Sequence, residues 1–386
     1  MEAFLVTYNE WKPGEQKLRE ALCTIGNGYI GTRGAAEENS NNNFNYPGTY
    51  VAGGYNRAKT EISGRIIENE DLVNFPNWLC LSFRPEGGSW LNLQDVTILD
   101  YKQVLDMKLG TLERIFKIKD SEDRITSIHS SRLVSMKDLH LAGIQWKFIP
   151  QNWHGKVEIR TALDGTVTND NVARYRKLDG QHLDPLYTDA ISENSMLLLV
   201  QTKQSKITMA QAARTQIYSR QKIVKSEICS QQKAGYIEQV FNFSVEEGKK
   251  YVIEKIVAIY TNRDRAITEP SLEACKDIKR TGRFKEMLSR QKEAYRFLWH
   301  RSDIGIIGNP KIQQLARLHI FHSLQTISPN TISMDVGVPA RGLHGEAYRG
   351  HIFWDELYIY PFLNLRFPEI TRSLLMYRYY RLDEAR

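Results

Sequence analysis

The residue types most able to do chemistry are concentrated in one glycine-rich stretch, residues 339–356. It carries charged, histidine and aromatic side chains close together: Arg341, His344, Glu346, Tyr348, Arg349, His351, Phe353, Trp354, Asp355 and Glu356. Sugar recognition uses an aromatic face against C–H bonds, carboxylates that accept from paired hydroxyls, and Arg or His side chains that donate. Because binding residues collect on loops held by a rigid scaffold, this stretch is a candidate carbohydrate-binding loop.

The same composition also fits a plainer structural role. A polar loop often leads into a helix, and Asp355 would then lie in the first helical turn, where the helix dipole favours a carboxylate. His344 and His351 raise the question of a metal, but their spacing matches no helical histidine pair, so we expect no metal site. Composition alone does not separate sugar binding from helix capping.

The residues before this loop are predicted to form strands. From about residue 60 to 262 polar and apolar residues alternate, most regularly at residues 156–163, as in half-buried antiparallel strands. Residues 251–260 are a continuous apolar run, which suits a strand buried on both faces. Turn sequences recur and no strand–helix–strand alternation is visible, so the pattern predicts a large antiparallel β-sandwich.

The period becomes helical after Pro270. Residues 270–300 are strongly charged, with apolar residues at helical spacing, which predicts a partly solvent-facing helical linker. After a glycine break at residues 305–308, Asn309 and Pro310 have the pattern of a helix N-cap followed by proline in the first turn.

Two further helices are expected, one from Trp354 to about Pro361 and one after Pro368. The last is rich in apolar and aromatic residues at positions 374–380, which need a partner surface. So few helices cannot enclose a core, and the helical domain is expected to be unfinished. We therefore predict three regions: a β-domain at 1–268, a helical linker at 269–305 and the start of a helical domain at 306–386.

The net charge of +7 raises the question of an anionic partner. Basic residues are densest at residues 203–225, where they alternate with apolar residues as on solvated strand faces. Nucleic-acid motifs are absent, so no nucleic-acid partner is expected. The sequence has no apolar run of about 20 residues, the length that a membrane span needs, and its start lacks a secretory signal. We therefore expect a cytoplasmic protein. Glu37 and Glu38, beside an asparagine-rich segment, are expected to lie in a solvated loop.

Several sequence blocks, in the same order along the chain, resemble glycoside hydrolase family 65 phosphorylases of maltose, kojibiose and trehalose. The segment Arg-Gly-Leu-His-Gly-Glu-Ala-Tyr-Arg-Gly-His-Ile-Phe-Trp-Asp, residues 341–355, is similar to the family's sugar-subsite signature. Residues 11–34, with Gly-Asn-Gly-Tyr-Ile-Gly at 26–31, resemble its opening segment, as do Tyr-Pro-Gly-Thr-Tyr at 46–50 and Asn-Phe-Pro-Asn-Trp at 74–78.

This resemblance implies a β super-sandwich, a helical linker and an (α/α)6 toroid, here incomplete. By analogy Trp354 and Asp355 bind the glucosyl unit on the non-reducing side of the scissile bond, and Arg349 and His351 are their neighbours. His344 and Glu346 either contact sugar or support the loop. Members commonly form dimers, so a homodimer is an expectation, although exposed apolar surface would equally follow from an unfinished helical domain.

The implied reaction is inverting phosphorolysis of an α-linked glucosyl disaccharide to β-glucose 1-phosphate and a sugar. The partners are then the disaccharide and inorganic phosphate as co-substrate, with no cofactor. The family's catalytic acid and phosphate-binding residues belong to sequence beyond residue 386, so we assign no catalytic residue here and expect this chain alone to be inactive. Neither Glu346 nor Glu356 is assigned as the acid.

Two alternatives stay open at the level of sequence. The first is an α-glucoside hydrolase of the same architecture, in which a base carboxylate would replace the phosphate pocket. The second is a truncated, non-catalytic sugar-binding or assembly module.

Overall fold

A computed structural model describes residues 2–386, and in its first two thirds almost all regular elements are strands. The strands are β1 Leu5–Tyr8, β2 Ile25–Gly26, β3 Ile30–Thr32, β4 Thr49–Val51, β5 Tyr55–Ile62, β6 Arg65–Leu72, β7 Leu81–Pro85, β8 Thr97–Asp106, β9 Thr111–Lys119, β10 Ile125–Val134, β11 Leu141–Pro150, β12 Gly155–Asp164, β13 Leu183–Ser192, β14 Ser195–Thr202, β15 Thr208–Ser219, β16 Lys222–Ile223, β17 Glu227–Lys233, β18 Tyr236–Val245 and β19 Tyr251–Thr261. The helices are α1 Gln16–Leu22, α2 Pro270–Arg280, α3 Phe284–Ser302, α4 Pro310–Thr326, α5 Tyr360–Arg366, α6 Pro368–Tyr379 and α7 Leu382–Ala385.

The strands form two main sheets with a shared core. The larger has ten strands in the order β1-β8-β9-β10-β11-β19-β15-β14-β13, with β16 beside β15, and the smaller has four in the order β17-β18-β12-β7. All pairings are antiparallel. Alternate side chains of facing strands fill the core, among them Trp146, Phe148, Ile159 and Phe241. The predicted antiparallel sandwich is confirmed.

Strand β19 is buried on both faces, as its continuous apolar sequence predicts. Ile253 and Val257 belong to the core of the sandwich. Ile256 and Ala258 face the other way, where residues of α2 and α3 such as Ile278 pack against them. The helical linker therefore covers the outer face of the larger sheet.

The linker is two helices rather than one continuous helix. Thr281 and Arg283 have extended backbone between α2 and α3. The Nη2 atom of Arg214, on β15, donates to the carbonyl oxygens of Thr281 and Gly282 at 2.8 and 3.0 Å. Arg214 thus ties the break between the two helices to the larger sheet.

Two predicted helix starts are confirmed, and one predicted end is wrong. The Asn309 side chain accepts from the Ile312 N–H at the start of α4, and α6 begins at Pro368. The helix expected from Trp354 to about Pro361 is instead a 3-10 turn, Trp354–Tyr358, followed by α5. Pro361 lies in the first turn of α5, where its missing N–H costs nothing, so it begins a helix rather than ending one.

The prediction of a solvated loop at Glu37 and Glu38 is wrong. Both side chains are buried and bind Arg114, whose Nη1 is 2.6 Å from Glu37 Oε2 and whose Nη2 is 2.6 Å from Glu38 Oε1. Arg132 and the Ser130 hydroxyl also approach Glu37. Strand alternation turns both arginines inward, and buried cations need paired carboxylates.

The last helices leave apolar residues at the surface. Leu374 is buried, whereas Leu375, Tyr379 and Tyr380 are exposed. The basic side chains at residues 203–225 are largely exposed on and between strands, as expected of solvated faces. No helix within residues 2–386 is long and apolar enough to span a bilayer.

Candidate functional site

The candidate sugar-binding loop connects α4 to α5 and packs on the β-domain. It contains two 3-10 turns, Ala347–Gly350 and Trp354–Tyr358. Gly350 has a φ of 68°, and a Cβ there would collide with the Leu72 side chain of β6. Glycine is therefore required at this position both for its backbone conformation and for space, and the loop lies directly against the β5–β6 hairpin.

Glu346 is buried beneath the loop, with 3% of its surface exposed. The hydroxyls of Tyr46 and Tyr50 both donate to its Oε1, the latter across 3.0 Å, and the Asn171 N–H donates to Oε2 across 3.2 Å. Burial raises the pKa of Glu346 to about 7, against these donors and nearby Arg33, which favour the ionised form. The carboxyl is thus directed at protein groups.

His344 lies partly buried between α4 and the β-domain. Its ring meets that of His322 edge to face, with centroids 4.4 Å apart. Its carbonyl accepts from Arg33 Nη1 across 2.6 Å. Burial, with smaller contributions from His322 and Arg33, holds the pKa of His344 well below its usual value. A neutral His344 therefore packs in the junction.

Arg349 lies within an unusual stretch of backbone. Both Tyr348 and Arg349 have positive φ, 56° and 58°. Arg349 lies with its Nε 4.0 Å from Asp71 Oδ1 and its guanidinium carbon 5.0 Å from the centre of the Tyr175 ring. Non-glycine residues rarely adopt this conformation, and such strain collects at functional sites. The strained turn aims Arg349 at groups of the β-domain.

His351 binds the β5–β6 hairpin. Its Nε2 lies 2.8 Å from the Glu70 carbonyl oxygen, an arrangement in which Nε2 donates and Nδ1 stays available. The Tyr55 hydroxyl donates to the neighbouring Gly350 carbonyl across 2.6 Å. These contacts hold the residues that immediately precede the Trp–Asp pair.

Trp354 and Asp355 differ from the other candidates because both are exposed. Trp354 is 65% exposed, and its ring lies 5.5 Å from that of Tyr358 within the same 3-10 turn. Asp355 is in the first turn, as the helix-capping interpretation expects. The pair presents an indole face and a carboxylate to solvent, which are two of the groups that sugar recognition uses.

The six candidates therefore fall into two groups. His344, Glu346, Arg349 and His351 each contact the β-domain, whereas Trp354 and Asp355 project from the loop. The first group holds the loop, whereas the second is open to solvent.

Glu356 is buried next to this pair and bound by protein groups. Its Oε2 lies 2.7 Å from Arg378 Nη2, and its Oε1 accepts from the Val338 N–H across 3.1 Å. Both carboxyl oxygens are therefore engaged by protein groups rather than open to a substrate.

The β-domain groups that hold the loop were not identified from the sequence. They are Arg33, Tyr46, Tyr50, Tyr55, Asp71 and Tyr175. Tyr46 and Tyr50 do lie in one of the blocks singled out above, but a block gives no information about its partner almost 300 residues away. Within residues 2–386, no three His, Cys, Asp or Glu side chains are grouped closely enough to hold a metal ion.

Comparison with known proteins places these features in a family. Residues 6–298 match the N-terminal domain of glycosyl hydrolase family 65, and residues 317–386 match its central catalytic domain. An uncharacterized glycosyl hydrolase of Mycobacterium tuberculosis is 41% identical over 385 residues, covering 100% of this chain and 29% of that protein. Kojibiose phosphorylase of Thermoanaerobacter brockii is 32% identical over 396 residues, covering 100% of this chain and 49% of the enzyme.

A solved structure shows the same fold. It is that of a protein provisionally assigned as a kojibiose phosphorylase from the human microbiome, with a TM-score of 0.86 at 24% identity. The matched region covers 100% of this chain and 49% of that protein. The chain thus spans about half the length of the kojibiose phosphorylases it matches. With its β-domain and helical segment both matched in order, the chain belongs to glycoside hydrolase family 65.

Proposed function

We propose that the protein to which this chain belongs catalyses inverting phosphorolysis of an α-linked glucosyl disaccharide, giving β-glucose 1-phosphate and a sugar. This chain would supply the surface that binds the glucosyl unit. The observation that carries the proposal is the exposed Trp354–Asp355 pair on a loop whose preceding residues are fixed by the β-domain. Rigid support of this kind lets a loop present ligand groups in one geometry.

The exposed pair and two half-buried residues of the loop each have a chemical task in this proposal. The Trp354 indole packs on the C–H face of the glucosyl ring, and Asp355 accepts from neighbouring hydroxyls. Arg349 donates N–H groups beside them, and His351 contributes Nδ1.

Catalysis itself needs groups that we place outside residues 1–386. A general acid must reach the glycosidic oxygen. Glu346 is enclosed by Tyr46 and Tyr50, and Glu356 is bound by Arg378, so neither is free to move to a substrate. Inorganic phosphate is an anion already, so it can attack without the second carboxylate that activates water in inverting hydrolases.

The proposal is tested by two measurements on unmodified protein. In the first, the 386-residue chain is titrated with glucose, kojibiose, maltose and trehalose, and tryptophan fluorescence is the readout. It should show saturable sugar binding. The same chain should release no glucose 1-phosphate when disaccharide and phosphate are supplied, whereas the whole protein should. Phosphate-independent release of glucose by the whole protein would indicate a hydrolase, and the absence of sugar binding would remove the proposed site.

A further inference from the structure

We propose that Glu346 is a positioning residue: its buried carboxyl, held by the Tyr46 and Tyr50 hydroxyls, fixes the 344–351 loop to the β-domain and so aligns the Trp354–Asp355 sugar site. This inference rests on the proposed function for the identity of the ligand. The contact between the β-domain and the loop does not depend on any ligand. We call Tyr46, Tyr50 and Glu346 the tyrosine clamp.

The contacts of the clamp leave Glu346 no role at a sugar. Oε1 accepts two hydroxyl groups and Oε2 accepts a backbone N–H, so the protein occupies three of the carboxylate's about four lone-pair sites. The side chain is 3% exposed, whereas Trp354 in the same loop is 65% exposed. Glu346 therefore acts on a ligand only through the loop.

The two tyrosines of the clamp are themselves held by other groups of the β-domain. The Tyr46 hydroxyl oxygen also lies 2.8 Å from the Thr168 carbonyl oxygen, so its single proton is shared between that carbonyl and Glu346, and it accepts from Asn74 Nδ2 across 3.2 Å. Tyr50 lies in β4 and is fully buried. Arg33, in the segment just before them, donates to the Tyr46 carbonyl across 3.0 Å and to the His344 carbonyl across 2.6 Å. Two positions of the loop are thus tied to one rigid unit.

Further along the loop the same domain supplies the remaining contacts. The Gly350 carbonyl accepts from Tyr55, and the His351 ring donates to the Glu70 carbonyl. The positive φ values of Tyr348 and Arg349 lie between the clamp and these contacts. Strained backbone persists only where surrounding structure holds it, so releasing Glu346 should release the strained turn.

Burial, and not the charged groups around it, sets the direction of the pH response of Glu346. Arg33 faces it, and Arg33 lies 3.5 Å from Glu20 across a buried pair. On the other side, a cavity of about 20 Å3 separates Glu346 from Asp71, Asp179 and His182. Asp170 adjoins the clamp through its N–H on the Tyr46 hydroxyl. Burial outweighs the donors and Arg33, so the neutral carboxyl is the form that the closed loop prefers.

A closed loop that prefers neutral Glu346 must open more readily once that group is charged. The opened loop would expose Glu346 to water, where its pKa returns toward the ordinary value of 4.5. Raising the pH from about 4.5 to about 7 therefore favours opening, and sugar affinity should fall over the same range. The neutral amide of Glu346→Gln keeps an acceptor for the tyrosine hydroxyls and should remove this pH dependence.

The deciding experiment measures two quantities on the 386-residue chain and its variants. Hydrogen–deuterium exchange of peptides covering residues 343–351, corrected for the intrinsic pH dependence of exchange, reports loop opening without any sugar. Glucose titration by tryptophan fluorescence reports the site. The variants are Glu346→Ala, Glu346→Gln and Tyr50→Phe, with Glu254→Ala as the matched control, since Glu254 is equally buried but pairs with Arg283 beside the linker.

We expect Glu346→Ala to speed exchange in the loop and weaken glucose binding on the order of 10-fold, the equivalent of one strong hydrogen bond. Glu346→Gln should restore both slow loop exchange and glucose affinity at pH 6. Tyr50→Phe should give a partial effect on both quantities, and it replaces Glu346→Ala in the comparison if that variant does not fold. Weaker binding with unchanged loop exchange would make Glu346 a sugar ligand and overturn the inference, as would equal effects of Glu254→Ala. If unmodified chain binds no glucose, the proposed function fails while the exchange data still decide whether the clamp holds the loop.

Discussion

The Tyr50 hydroxyl donates to Glu346 Oε1 across 3.0 Å, which joins strand β4 to a loop 296 residues later in the chain. This bond and its companion from Tyr46 connect two sequence blocks that share no local relationship. The consequence is that the geometry of the candidate sugar-binding loop depends on a domain that contributes neither Trp354 nor Asp355. Changes in the β-domain should therefore alter ligand binding.

Removing the exposed pair should abolish most sugar binding. Trp354→Ala removes the indole face and should weaken glucose binding on the order of 10-fold or more, and Asp355→Asn should weaken it by loss of a charged acceptor. Neither variant should alter thermal stability appreciably, because both side chains are exposed. Calorimetric titration checks the affinities. Tyr379→Ala, at a similarly exposed aromatic, is the control, and an equal loss there would point to non-specific effects.

Stability should depend on pH through Glu346. Its pKa is raised to about 7 from an ordinary 4.5, so between these values the folded chain holds a proton that the unfolded chain has released. Its stabilising contribution is therefore fully present below about pH 4.5 and is lost as the pH rises through 7. Relative to Glu346→Gln, the unmodified chain should lose on the order of 3 kcal/mol of unfolding free energy between pH 4.5 and 8. Urea denaturation of both proteins across this range measures it, and parallel curves would contradict the assignment.

Gly350→Ala should disturb the loop through collision with Leu72. Gly248 has the same φ of 68° but nothing within 4 Å of an added Cβ, so Gly248→Ala carries the backbone cost alone. We expect Gly350→Ala to cost about 1–3 kcal/mol more than Gly248→Ala and to weaken glucose binding as well. Denaturation and fluorescence titration of the two variants test this. Equal destabilisation would show that the contact with β6 relaxes without cost.

Arg114→Ala should be strongly destabilising because it leaves Glu37 and Glu38 buried without their partner. Breaking a buried pair in this way costs about 3–5 kcal/mol. Lys276→Ala breaks the exposed Lys276–Glu273 pair on α2 and should cost at most about 1 kcal/mol. Chemical denaturation distinguishes the two. A loss below about 1 kcal/mol for Arg114→Ala would mean that water enters to solvate both carboxylates.

The sandwich was predictable because strand alternation is a local property. β12 and β19 could be recognised from their own residues, and so could the helix starts at Asn309 and Pro368. The role of Pro361 was misread because proline both ends and begins helices, and only the following turn decides which. The boundaries at residues 268 and 305 stay a prediction.

The sequence by itself determined the fold class, the order of strands and helices, and the concentration of sugar-binding residue types in one loop. Those features follow from periodicity and from residue chemistry, which neighbouring positions express. Only the tertiary structure decided which of these residues are exposed and which are bound. The burial of Glu37, and of Glu346 under Tyr46 and Tyr50, depends on groups tens to hundreds of residues away. Burial and pairing are set by the packing of sheets and loops, so Trp354 and Asp355 remain at the surface while Glu346 holds the loop beneath them.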